Sequence, residues 1–229
     1  MITGAANGIG YKCAEILLRN GTKKVAIVDL PTSNGQNAAA TLENEFGKNC
    51  AIFIACDVSK ADDLKKAFEK TIDEFEELDI LINNAGIMND KIWEQEINLN
   101  IKAVIRGSML AFDHMGKHKG GKGGVIVNIS SQLGLYPAFI SMYSASKYAV
   151  LGFSQSLAKM YDKTGVRVVI MCPGATLTAL LANIQDKICD SFRDLIDTDA
   201  EMDNHPTQTT DNVALAILDL IQKGENGAA

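Results

Sequence analysis

A chain of 229 residues with 47% hydrophobic side chains suits one globular domain with a sizeable core. Its net charge of −6 argues against a nucleic-acid polyanion as partner. No apolar run approaches the roughly 18 residues of a membrane span and no signal-peptide pattern is present, so a soluble, cytoplasmic protein is expected.

In chain order, short apolar runs at 24–29, 51–55, 80–82, 124–129 and 166–171 read as strands. They alternate with helical stretches near 9–20, 34–46, 60–76, 92–115, 143–163, 178–196 and 209–222. Alternation of this kind predicts an α/β fold, a doubly wound parallel sheet with helices on both faces in a single domain. The basic, glycine-rich stretch 117–124 joins a helix to a strand and reads as a solvated loop. Cys13, Cys50, Cys56, Cys172 and Cys189 show no zinc-type spacing, so free thiols in a reducing compartment and no metal site are expected.

Several stretches carry chemistry. Thr3-Gly4-Ala5-Ala6-Asn7-Gly8-Ile9-Gly10 opens a helix whose apolar residues Ile9, Cys13, Ile16 and Leu17 recur at helical spacing. Glycines let the backbone approach a pyrophosphate, and a helix N-terminus offers it free N–H groups. Asp29 ends the next strand about 20 residues later, where a carboxylate accepts both ribose hydroxyls and repels a 2′-phosphate. No arginine adjoins it, which predicts NAD over NADP. Tyr143 and Lys147 lie one helical turn apart and share a face. A fixed cation beside a phenol favours the phenolate, which suits a base that takes a proton from an alcohol.

In order and interval, the glycine loop, Asn83-Asn84-Ala85-Gly86, Ser130-Ser131, Tyr143/Lys147 and Pro173-Gly174-Ala175-Thr176-Leu177-Thr178 resemble the signatures of the short-chain dehydrogenase/reductase family. That resemblance covers essentially the whole chain and implies a Rossmann-type fold. It implies a nucleotide surface built from Gly4, Asn7, Gly8, Ile9 and Gly10, then Asp29 and Leu30, with Asp57 and Val58 at the adenine. Asn84, Ala85 and Gly86 would continue that surface, with Tyr143 and Lys147 on the ribose side, and Pro173, Gly174, Thr176 and Thr178 near the nicotinamide. Asn83 is implied to steady the central sheet. The implied catalytic set is Tyr143 as base, Ser131 on the substrate oxygen, Lys147 as the cation, and Asn100 as the proton-relay asparagine that bends its helix. Ser130 and Asn98 are the competing choices. One residue fewer than usual separates the serine from the tyrosine, which alters the loop lining the substrate cleft.

Trp93-Glu94, the glycines of 120–124 and Gly152-Phe153-Ser154 resemble NAD-dependent 15-hydroxyprostaglandin dehydrogenases. His205 through Thr210, Ser156 through Lys159 and the late Glu225-Asn226-Gly227-Ala228 resemble insect-type alcohol dehydrogenases. Ile140 stands where the former carry a substrate-binding glutamine, and His205 reads as part of a helix start rather than as a catalytic group. The expected reaction is hydride transfer between NAD and a hydrophobic alcohol or ketone. A carbonyl reductase running in reverse and a catalytically quiet NAD-binding protein are the alternatives. Mixed apolar and acidic residues at 179–205 are expected to form a lid, and the helices at 92–115 and 143–163 to pair copies into a homodimer or homotetramer. With Met1-Ile2 alone before the glycine loop and Gly227-Ala228-Ala229 at the other end, both termini read as trimmed. The first strand should be nearly lost and the strand at 166–171 left as a bare apolar edge.

Overall fold

The computed structural model describes residues 1–203 and 206–229, so His205 lies outside the described residues. The five apolar runs become strands and a short sixth precedes them: β1 (Ile2–Thr3), β2 (Val25–Asp29), β3 (Ala51–Ala55), β4 (Ile80–Asn83), β5 (Gly124–Ile129) and β6 (Val166–Met171). They pair in parallel in the order β3-β2-β1-β4-β5-β6, the doubly wound arrangement expected from the alternation.

Along each strand, successive side chains serve opposite faces. Ile27, Ile82, Val127 and Val169 pack with Ile16 and Leu17 of α1 (Gly8–Arg19), Leu42 of α2 (Gly35–Phe46) and Ile217 of the last helix. Val28, Leu81, Ile126 and Val168 face Leu64 and Phe68 of α3 (Ala61–Phe75) and Phe112 and Met115 further on. Helices α4 (Trp93–Ile97) and α5 (Val104–Met115) are joined through a π turn at Asn98–Ala103, so the expected helix at 92–115 is continuous but widened in its middle. Then come α6 (Ser141–Ala158), the single turn α7 (Tyr161–Thr164), α8 (Thr198–Asp203) and α9 (Thr210–Lys223).

Three expectations are corrected. The helix expected at 178–196 is instead three separate 3-10 turns, Ala179–Leu181, Ile184–Lys187 and Arg193–Leu195. Asn183 adopts a left-handed φ of 54°, which ends any helical run there. The helix expected at 143–163 breaks between Ala158 and Tyr161. The third correction is the edge of β6, which is not bare. Gly227 N–H donates to Val168 O at 2.8 Å and Ile170 N–H to Ala228 O at 2.8 Å, so the last residues run along the strand. Asn226 ties this tail down: its Oδ1 accepts from Val168 N–H at 3.0 Å and its Nδ2 donates to Ala158 O at 2.8 Å. Arg167 reaches the last carbonyls of α9, donating to Leu220 O at 3.2 Å and also to Ile221 and Gly224. At the other end, β1 is two residues long yet paired on both sides, with Ile2 opposite Ile27 and Ile82.

Asn226→Ala should therefore lower unfolding stability by about 1–2 kcal/mol, the worth of two partly buried hydrogen bonds. Urea denaturation checks it; an unchanged midpoint would show that the backbone bonds alone hold the tail.

Candidate active site

A cavity of about 890 Å³ opens beyond the carboxyl ends of the strands, lined from both halves of the sheet. Its nucleotide-like end is the loop from β1 to α1. Gly4 and Gly8 have φ of +65° and +58°, a region that L side chains rarely adopt. A methyl group on Gly4 would press to 2.8 Å from Ala85 Cα. On Gly10 it would meet Asn84 Nδ2 and Gly4 O at 2.6 Å. No side chain caps α1 at Asn7, so its first-turn N–H groups stay available to an anion. These features fit a dinucleotide pyrophosphate.

Asp29 Oδ2 accepts from Ala6 N–H at 2.9 Å and Oδ1 from Leu30 N–H at 2.8 Å, which fixes the carboxylate at the cavity wall. Asp57 is held by Ser59, whose N–H and hydroxyl donate to Oδ1 at 3.1 and 2.7 Å; these bonds keep its carboxyl below the usual range. The basic residues lining the cavity are Lys147 and Lys187, neither from the strand that carries Asp29.

Asn7, Ile9, Leu30, Val58, Ala85, Gly86, Pro173, Gly174, Thr176 and Thr178 all line the cavity. Two expected site residues do not. Gly10 packs beneath Asn84, and Asn100, fully buried, stands behind the wall. Asn84 does line the cavity, but its amide donates to Thr3 O at 2.9 Å and Gly4 O at 3.0 Å, so it shapes the glycine loop. Asn83 is structural: its amide donates to Asn128 Oδ1 at 2.8 Å and to Ser108 at 3.2 Å, between sheet and α5.

Tyr143, Ser131 and Lys147 meet at the opposite end. Tyr143 and Lys147 are both buried on α6. Burial pushes the Tyr143 phenol above its ordinary value, a hydrogen bond with Ser131 opposes that, and the charge of Glu96 reinforces it. The phenolate expected from a neighbouring cation is therefore disfavoured here, with burial as the largest cause. The same burial pulls Lys147 down to about 8, with Glu96 opposing. Lys147 Nζ donates to Ile129 O at 3.0 Å and lies 5.4 Å from the centre of the Tyr143 ring. Gly86 leaves room for it: a methyl group there would sit 3.7 Å from Nζ and 3.1 Å from Asn100 Oδ1.

The two serines separate cleanly. Ser130 donates back to Lys147 O at 2.8 Å, whereas Ser131 sits at Tyr143 and accepts from Leu133 N–H at 3.1 Å. Asn100, chosen over Asn98, occupies the π turn; its amide donates to Ile87 O at 2.8 Å and Ser146 at 3.1 Å, and its Oδ1 accepts from Ile87 N–H at 2.9 Å. A π turn is the local helix distortion expected of it.

Sequence reasoning missed Asp90 and Glu96. Buried Asp90 accepts from Met142 N–H at 3.0 Å and Tyr143 N–H at 3.1 Å, so it caps the helix that carries the phenol. An acidic residue in a turn or on a helix reads as solvated; the available signal was Glu96 four residues before Asn100, on the same face. Above the Tyr143/Lys147 corner, Leu180, Leu181 and Ile184 pack with Leu133, Phe139, Ile140 and Met88 to give an apolar chamber. Phe192 and Leu195, also expected in the lid, are exposed.

The profile of the short chain dehydrogenase family matches residues 1–188. A 15-hydroxyprostaglandin dehydrogenase [NAD(+)] of Rattus norvegicus is 44% identical over 188 residues, 81% of this chain and 70% of the relative. Alcohol dehydrogenase 1 of Ceratitis cosyra is 33% identical over 232 residues, 100% of this chain and 88% of the relative. Among solved structures, a 3-ketoacyl-(acyl-carrier-protein) reductase from Brucella melitensis complexed with NADH superposes with a TM-score of 0.80 at 27% identity, covering 100% of this chain and 93% of that one. The match spans well over half of the residues, and the chain belongs to the short-chain dehydrogenase family.

Proposed function

We propose that this protein oxidises an apolar secondary or primary alcohol with NAD, using Tyr143 as proton acceptor. The observation that carries this reading is the convergence of Tyr143, Ser131 and Lys147 at one buried corner of a cavity whose far end holds the glycine loop and Asp29. NAD, when bound, supplies the hydride acceptor. Ser131 donates to the substrate oxygen and fixes the carbinol carbon. Tyr143 takes the hydroxyl proton. Lys147 provides positive charge beside that exchange, and Asn100 holds the carbonyl of Ile87 in place for proton passage behind it.

Support for NAD comes from Asp29, which has backbone donors and no basic neighbour among the residues lining the cavity, and from the similarity to the NAD(+)-dependent 15-hydroxyprostaglandin dehydrogenase of Rattus norvegicus. The apolar chamber around Ile140, Leu180, Leu181 and Ile184 supports a hydrophobic substrate. Exposed Ile105 and Met109 on α5 and Tyr148 on α6 support pairing of copies through these helices into a dimer or tetramer. All five cysteines are unpaired, and burial pushes Cys13 and Cys56 up to about 12, which supports work in a reducing compartment such as the cytoplasm. No helix among the described residues is long and apolar enough to cross a membrane.

Tyr143→Phe should keep the fold and NAD affinity while kcat falls about 10²–10⁴-fold for every substrate. Turnover within tenfold of the parent would end the assignment. Ser131→Ala should approach that loss, and Ser130→Ala should be milder; the reverse order would reassign the serine. For the cofactor, kcat/KM should favour NAD over NADP by at least about tenfold, or 1.4 kcal/mol, and parity would remove Asp29 from its role. Light scattering at micromolar concentration should show a dimer or tetramer, and monomer alone would contradict the pairing.

A further inference from the structure

Glu96 has 0% exposure, and its Oε1 has no hydrogen-bond partner among the described residues. Its other oxygen accepts from Asn89 N–H at 3.3 Å. A buried carboxylate with so few donors is strongly unfavourable unless a positive charge stands near it. α4 packs against the 90–92 turn, the π turn and α6. From these elements the titratable groups acting on Glu96, or acted on by it, are Asp90, Tyr143 and Lys147. Lys91 turns outward to Asp190 at 3.1 Å, and Lys102 is exposed. Four residues on, along the same face, Asn100 donates to Ser146 of α6 at 3.1 Å. Asp90, on the other side, binds the first N–H groups of α6. Glu96 therefore sits between two groups that fix the helix of Tyr143 and Lys147, and the mechanism above leaves it unused.

We propose that Glu96 is a positioning residue for proton transfer: its carboxylate is the buried counter-charge of the Lys147 ammonium, and the same charge makes Tyr143 hold its proton. This rests on the roles given above to Tyr143 and Lys147.

A neighbouring negative charge makes both groups hold their protons more tightly. In Lys147 it opposes burial, which alone pulls the ammonium down, and in Tyr143 it adds to burial. Burial, with Asp90 next, pushes the Glu96 carboxyl itself up to about 7, against the pull of Asn89 and Lys147. Glu96 accordingly gains its charge within the working pH range. Above that point it holds Lys147 as ammonium; below it, the carboxyl is neutral and Lys147 is protonated without help.

Glu96→Gln keeps the shape and removes the charge. Both limbs of the kcat/KM profile for alcohol oxidation should move to lower pH by at least about half a unit, a threefold change in proton concentration. A loss of packing alone would lower the profile without moving it. Limbs within about 0.2 unit of the parent, beside an inactive Tyr143→Phe, would overturn this inference and leave the proposed function standing. An active Tyr143→Phe would overturn both. Carbon-13 NMR of the glutamate carboxyls gives a second test that does not depend on the variant folding. In the parent protein one glutamate should titrate near 7, and its midpoint should rise in Lys147→Met. All glutamates titrating below about 5, or a midpoint that ignores Lys147, would overturn the inference.

Discussion

The two halves of the sheet are joined at their switch point by a compact set of hydrogen bonds between Thr3 and Asn84. The Thr3 hydroxyl accepts from the N–H groups of Asn84 and Ala85 at 3.0 and 3.1 Å, and the Asn84 amide returns to the carbonyls of Thr3 and Gly4. Chains leave β1 and β4 in opposite directions here, so ladder bonds end and backbone groups need other partners. With β1 only two residues long, the side-chain bonds carry much of that task. They also set the spacing between the glycine loop and the segment leading to Asn100. Gly4 and Gly10 are consequences of the same closeness, because a side chain on either would collide with the clamp.

Burial organises the chemical end of the cleft as closely as hydrogen bonding organises the other. Tyr143, Lys147, Glu96, Asp90 and Asn100 all lie under the surface, where charge is costly and each group's ionisation depends on its neighbours. Polar atoms nearby are mostly satisfied: Asn128 links Asn83 to Ser154 across the sheet, and Ser146 links Asn100 to Tyr143 O. Against this background Glu96 Oε1 and Ser144 Oγ are the buried polar side-chain atoms without a partner among the described residues.

Much of this architecture was legible in the sequence. Strands buried on both faces leave continuous apolar runs, and the family's motifs marked the glycine loop, Ser131, Tyr143 and Lys147. What stayed hidden depends on contacts distant in the chain. The π turn is held by Asn100 bonding Ile87 and Ser146, and no local propensity announces it. Leu180, Leu181 and Ile184 have nearly helical spacing, but they pack on Met88 and Ile140 instead of forming one helical face. The tail on β6 uses backbone groups of Gly227 and Ala228, residues with no strand signature. Asp90 and Glu96 belong to types normally solvated, so only the fold reveals their burial.

The segment 179–203 is built from short 3-10 turns and the short helix α8 rather than from one long helix. Its turns are closed by single bonds such as Leu181 N–H to Thr178 O at 3.2 Å, Asp186 N–H to Asn183 O at 3.1 Å and Leu195 N–H to Phe192 O at 3.0 Å. Each such bond is worth only about 1 kcal/mol net, and side chains add ties between the turns: Lys187 donates to Leu180 O at 2.7 Å, Gln185 to Arg193 O at 3.2 Å and Arg193 to Asp186 Oδ1 at 2.7 Å. Its apolar residues meet the chamber wall, and the sheet's two large cores are built from other residues. Substitutions at Leu180, Leu181 or Ile184 thus reshape the apolar chamber without altering a residue of either large core of the sheet.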